Sequence, residues 1–152
     1  MFLLSLIVGL VAPPFTLLDL DKNEVVLDSL LTRGIVVVSF WATWCKPCIK
    51  ELDSWKKLSN EFESVIFVAI NEDGPQTKRN VPLIVKSHNW EFLILSDDKK
   101  VMSLYQVKVL PHTFVIGKDR RILYQHVGFN KKGEEILHQK LSSLLEESGT
   151  FE

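Results

Sequence analysis

Cys45 and Cys48 are the only cysteines of the 152-residue chain, and they lie together in Trp44-Cys45-Lys46-Pro47-Cys48. Two thiols at this spacing can open and close as a disulfide, or can supply half of a zinc site whose other ligands come from elsewhere. The flanking residues narrow the choice. Ile35 to Phe40 is a β-branched and aromatic run that reads as a buried strand. After Pro47 the pattern turns helical, with Cys48, Ile49, Leu52, Trp55, Leu58 or Ser59, and Phe62 on one face and Lys50, Glu51, Lys56, Lys57 and Glu61 assigned to the other. Pro47 suits the first helical turn, where its missing N–H is no loss. The cysteines therefore stand at a strand-to-helix junction, where unpaired N–H groups and the helix dipole favour a thiolate, and Lys46 adds positive charge. Cys45, at the tip, is expected to be the exposed nucleophile, and Cys48 the shielded resolving thiol.

With 46% hydrophobic residues, a chain of this length can bury a core without a disulfide staple, which leaves the cysteines free for chemistry. The net charge of −1 is spread along the chain, with no basic stripe for nucleic acid. Recognition of a partner is expected to be local and largely apolar.

Phe40-Trp41-Ala42-Thr43-Trp44-Cys45-Lys46-Pro47-Cys48 resembles the active-site segment of the thioredoxin superfamily, in the form typical of its TlpA/ResA-like branch. The resemblance implies an α/β thioredoxin-like fold: a central mixed β-sheet flanked by helices, with an N-terminal hairpin and an inserted helix-strand element. It also implies a cis-proline beside the dithiol, and Pro111 in Val109-Leu110-Pro111-His112-Thr113-Phe114 takes that place, at the start of a strand where proline is tolerated. The backbone of Leu110 would then offer strand-like hydrogen bonds to a partner peptide, and Trp44 would border the groove. Thioredoxin carries a buried acid on its central strand where this chain has Ser39. A proton acceptor for Cys48 must then come from elsewhere or from water, and Glu72, rather than Asp73, is the candidate for a proton relay, the alternative being that both are solvated loop acids.

The remaining elements follow in order. Phe15 to Leu20 and Glu24 to Leu27 flank Asp21-Lys22-Asn23 as a hairpin, and Asp28 caps a short helix ending near Gly34. A strand covers Val65 to Ile70, then come a helix opened by Asn80 and Pro82, a strand from Phe92 to Leu95 and a helix over Lys99 to Tyr105. Gly117 to Arg120 turns the chain into a strand from Arg121 to Val127. The last helix, Lys132 to Glu146, presents Ile136, Leu137, Leu141, Leu144 and Leu145 to the sheet. His112 reads as a strand residue near the rim of the site, and His88, His126 and His138 as scattered surface or half-buried residues. The division expected is an apolar segment over 1–14, a leader or anchor remnant or the start of the domain, then the domain over 15–147 and a tail over 148–152.

These readings converge on a thiol–disulfide oxidoreductase whose only redox group is the Cys45–Cys48 pair, with no cofactor and no metal. Two other classes compete. A copper-delivery chaperone of the same fold usually has a three-residue gap between cysteines and a distant histidine, and a peroxidase places its cysteine in another motif with an activating arginine. The resemblance further implies a location outside the cytoplasm, an option of anchoring to the membrane, disulfide-bearing protein substrates such as apocytochrome c, and recharging by a membrane thiol donor.

Overall fold

The computed structural model describes residues 10–149. Seven strands form one sheet: β1 (Thr16–Asp19), β2 (Glu24–Val26), β3 (Val36–Trp41), β4 (Ile66–Asn71), β5 (Leu93–Ser96), β6 (His112–Ile116) and β7 (Ile122–Val127). Their order across the sheet is β2-β1-β5-β4-β3-β6-β7. β3 runs parallel to β4 and β4 to β5, whereas the β1–β2, β1–β5, β3–β6 and β6–β7 pairs are antiparallel. The helices are α1 (Leu27–Leu31), α2 (Lys46–Glu61), α3 (Val81–Ser87), α4 (Val101–Leu104) and α5 (Lys131–Gly149), with a 3-10 turn over Lys78–Asn80. This is the α/β thioredoxin-like architecture, including the N-terminal hairpin and the inserted α3–β5 element.

β3 is the axis of the fold because both of its neighbours and both of its faces are covered, and all six of its residues are buried. Side chains alternate along a strand. Val36, Val38 and Phe40 therefore join one core with Leu27, Leu31, Tyr105, Phe114 and Ile116, while Val37 and Trp41 join the other with Leu52, Trp55, Leu137 and Leu141. The second core belongs to α2 and α5. Ser39 has the parity of Val37 and Trp41, so the one polar residue of β3 points toward α2.

Several local expectations are corrected. Asp28 lies in the first turn of α1 and is not its cap; the cap position is Val26, which supplies no side-chain bond. The helix expected over Lys99 to Tyr105 shrinks to a single turn, because Lys100 takes a left-handed backbone with φ of 57°. Ile136 is 40% exposed, so the apolar face of α5 is narrower than the sequence pattern suggests. Leader and anchor readings fall largely on residues 1–9, outside the described residues, but Val11 bridges Arg121 and Ala12 is fully buried, so the chain is docked on β7 before Pro13. No helix of the described residues is long and apolar enough to cross a membrane.

Gly34 delivers the chain into β3 against the turn before β4. A Cβ at this position would stand 2.3 Å from the Ser64 carbonyl oxygen, a backbone atom that no side-chain rotation can move away. Gly34→Ala is therefore expected to lower stability by about 1–3 kcal/mol through overpacking, read as a lower urea midpoint with unchanged slope. A midpoint equal to that of the parent would show that this junction is soft.

Candidate functional site

The site is built where β3 ends. Cys45 is the N-cap of α2, and Pro47 sits in the first turn. The two cysteine sulfurs are bonded, with Cα atoms 5.3 Å apart. The Cys48 N–H donates to Cys45 Sγ at 3.3 Å, so the cap partner of this helix is the sulfur itself. Once the disulfide is reduced, that N–H and the positive end of a sixteen-residue helix act on Cys45, which favours its thiolate. Cys45 is 7% exposed and Cys48 0%. In the disulfide form, then, Cys45 is far less open than a loop-tip position suggests. Trp44 is 65% exposed beside it, and Lys46 and Pro47 are also exposed.

The turn carrying the pair is clamped from the neighbouring strand. Asp73 accepts from the Thr43 backbone N–H at 2.8 Å and from the Thr43 hydroxyl, and Asn71 Nδ2 donates to it at 2.7 Å. Burial alone would raise the Asp73 carboxyl, but its bonds to Thr43, Thr77 and Asn71 outweigh that and hold it below the usual carboxylate range. The role of Asp73 is thus to fix the 42–44 turn.

Glu72, its neighbour, faces a different partner. Burial first, then hydrogen bonding and repulsion from Asp97, push its carboxyl up to about 10. Asp97 is held low, its burial offset by the bond from Glu72 and by backbone N–H groups at the start of α4, where it accepts from Val101 and Met102 at 2.8 and 2.9 Å. The side-chain partner of Glu72 is thus Asp97, and the two carboxyls are pushed in opposite directions by facing each other.

Opposite the turn, the Leu110–Pro111 peptide bond is cis. Phe40 pairs with His112 across β3 and β6, which sets Pro111 beside the end of β3, close to the turn that bears Cys45. Pro111 is buried, its carbonyl accepts from Gly128 at 2.7 Å, and Leu110 packs against both cores.

An acid that the sequence reading assigned to the solvent face of α2 lies inside. Glu51 is 1% exposed. It follows Cys48 by three residues, on the same face of the helix, and helical side chains lean toward the N-terminus, so its carboxylate lies under the cysteine. The sheet meets it with one transverse row of polar side chains. Ser39 pairs with Thr113 and Thr113 with His126 across β3, β6 and β7. Ser39 Oγ and Thr113 Oγ1 each donate to Glu51 Oε1 at 2.7 Å, and His126 Nε2 lies 2.9 Å from Oε2. Ser39 thus belongs to the acid network after all, with the acid supplied by the helix in place of the strand. His126 is half-buried, within the range expected for it, but it is bonded into this network.

The other histidines have separate partners. His112 stacks on Phe114 with ring centroids 4.4 Å apart and bonds Gln125 at 2.8 Å; burial is the main cause that pushes it down from the ordinary histidine range. His88 bonds Asp53 and His138 bonds Glu61. Among the described residues no group of three or more His, Cys, Asp or Glu is placed to hold a metal ion.

Comparison with known proteins gives a consistent result. Residues 8–125 match the AhpC/TSA family. The chain is 32% identical over 126 residues to the thiol-disulfide oxidoreductase ResA of Bacillus anthracis, covering 82% of this chain and 72% of the relative. It is likewise 32% identical over 135 residues to the thioredoxin-like protein YneN of Bacillus subtilis (strain 168), covering 88% and 78%. Among solved structures, one assigned as a putative thiol:disulfide interchange protein DsbE from Chlorobium tepidum superposes with a TM-score of 0.81 at 29% identity, over 89% of this chain and 95% of that one.

The raised carboxyl of Glu72 makes a pH prediction. A group protonated more tightly in the folded state contributes stability that is complete below its unfolded value, 4.5, and is lost as pH rises toward about 10. Glu72→Gln keeps a donor toward Asp97 and removes this titration. Urea unfolding at a series of pH values should show a flatter decline above about pH 5 in the variant than in the parent. Parallel curves would place the proton elsewhere.

Proposed function

The chain belongs to the AhpC/TSA family and is a thiol–disulfide oxidoreductase, and from that premise we propose that it works as a reductant of disulfides in partner proteins outside the cytoplasm. The observation that carries the reading is a lone redox pair at the head of α2 standing over a buried carboxylate. In the reduced protein the Cys45 thiolate attacks a partner disulfide and one partner sulfur leaves as thiolate, giving a mixed disulfide. Cys48 must then lose its proton inside the protein. Glu51 lies one helical turn away and takes it. The Cys48 thiolate attacks Cys45 Sγ, the second partner sulfur leaves, and the Cys45–Cys48 disulfide closes.

The direction of electron flow rests on the dipeptide between the cysteines. Lys46-Pro47 differs from the Pro-His of strongly oxidising relatives, whose reduced form is held by an unusually stabilised thiolate. Here the thiolate has the helix start and one exposed lysine, whose charge is screened by solvent. Trp44 and Val109, 65% and 57% exposed, flank the pair and its proline in sequence and supply the apolar rim for a partner chain. The similarity to ResA and DsbE supports apocytochrome c haem-site cysteines as the substrate class and a membrane thiol donor as the source of electrons.

Cys48→Ser should accumulate mixed disulfides on Cys45 when the reduced variant meets a disulfide-bearing protein such as insulin, and Cys45→Ser should not. Equilibration of the parent with glutathione should place its potential nearer about −270 mV than about −120 mV. A dithiol that stays reduced in buffers that oxidise thioredoxin would make the protein an oxidant, and a Cys48→Ser variant that traps nothing would remove the exchange mechanism.

A further inference from the structure

We propose that His126 is a positioning residue for disulfide exchange: by donating Nε2–H to Glu51 Oε2 it keeps the carboxylate ready to accept the Cys48 proton. The inference rests on the reductase reading above. In the resolving step the Cys48 S–H bond breaks and its proton passes to the Glu51 carboxylate. A Cys48–Cys45 S–S bond forms, the Cys45–partner S–S bond breaks, and the electron pair leaves with the partner sulfur as thiolate. Every atom and electron is accounted for within the two dithiols and one carboxylate.

The geometry divides the labour between the two carboxylate oxygens. Oε1 is served by two hydroxyls, Ser39 and Thr113, whose oxygens lie 3.0 Å apart. At Oε2 the hydrogen-bonding side chain is His126, at 2.9 Å. An ionised carboxylate only accepts hydrogen bonds, so a donor on each oxygen favours that form over the carboxylic acid. With Nε2 carrying the hydrogen, His126 Nδ1 is the bare lone pair, which matches its burial without a partner. His126 is also where the network opens: its side chain is 14% exposed, against 1% for Glu51, while Ser39, Thr113 and Cys48 are 0% exposed.

Other titratable groups face this pair from each packed element. Cys48 lies on α2 with Glu51, His112 lies on β6, and Tyr124 lies on β7 with its ring 5.6 Å from that of His126. Burial lowers His112 and raises Tyr124, so both are neutral near pH 7. Neither can replace the His126 donor with a charge of its own.

The test compares three variants by following release of the leaving thiol from a preformed mixed disulfide between Cys45 and a small aromatic thiol, across pH. His126→Leu removes the donor. Oε2 is then left bare, the protonated carboxyl is favoured, and the rising limb of the rate profile should move up by about one to two pH units, the equivalent of one hydrogen bond to a charged group. At pH values below that limb the rate should fall at least about tenfold. His126→Gln places an amide N–H near the same position and should restore the profile to within about twofold. His126→Asn, too short to reach Oε2, should repeat the leucine result in a polar side chain, and it carries the test if the leucine variant does not fold. Alkylation of Cys45 in the reduced protein should be unchanged in all three, since the head of α2 is untouched. A folded leucine or asparagine variant with the parental profile would overturn the proposal, as would a glutamine variant as slow as asparagine. The small-thiol assay reads the resolving step directly, so failure of the parent to reduce proteins would count against the reductase reading and leave the role of His126 separately decided.

Discussion

The Glu51 carboxylate is the constraint around which the active end of this fold is arranged. A charge taken out of water is costly unless its hydrogen-bonding capacity is met. Here that need is met by side chains from three strands at once, Ser39 of β3, Thr113 of β6 and His126 of β7. The carboxylate therefore ties α2 to the sheet at one register. A slip of one residue in any of these strands would turn its donor to the opposite face. Because Cys48 is one turn above Glu51, the same bonds that fix the helix also fix the height and rotation of the resolving thiol.

Two further acid arrangements surround the pair without sharing this duty. Asp73 holds the 42–44 turn by ordinary carboxylate hydrogen bonds, and so sets the angle at which the chain leaves β3 and enters α2. Glu72 and Asp97 face each other between the end of β4 and the start of α4, which pushes the Glu72 carboxyl up and holds that of Asp97 low. Neighbouring acids in one loop thus have opposite environments, one dressed with donors and one facing another carboxyl, and their proton affinities diverge accordingly.

Much of this was legible in the residues. The β-branched run before Trp41, the Cys-Lys-Pro-Cys junction and the proline at the head of a strand located the sheet axis and the redox pair, because burial, turn chemistry and helical period agreed there. Glu51 was misread because a charged side chain beside Lys50 defaults to the solvent face. The period already argued otherwise, since positions 48, 51, 52 and 55 lie on one helical face. A second signal was the parity of Ser39, a lone polar residue on the α2 side of a buried strand, which calls for a polar partner. His126 could not be found from sequence, because its approach to Glu51 depends on the β6–β7 register, and spacing along the chain carries no trace of it. The helix expected over Lys99 to Tyr105 is present but shorter for a local reason: Asp97 supplies its N-terminal bonds, while Lys100 breaks the helical backbone just before it.

The central claim is that a carboxylate on α2 does for Cys48 what a strand acid does elsewhere in this fold. Glu51→Gln, nearly equal in size but unable to accept a proton at neutral pH, tests it most directly through the rate at which Cys48 resolves a mixed disulfide on Cys45. The variant should lose about a hundredfold or more in rate near pH 7, the usual contribution of a positioned base, with the rate then rising only as bulk hydroxide deprotonates the thiol. A folded Glu51→Gln variant that resolves the mixed disulfide at the parental rate and with the parental pH profile would contradict it.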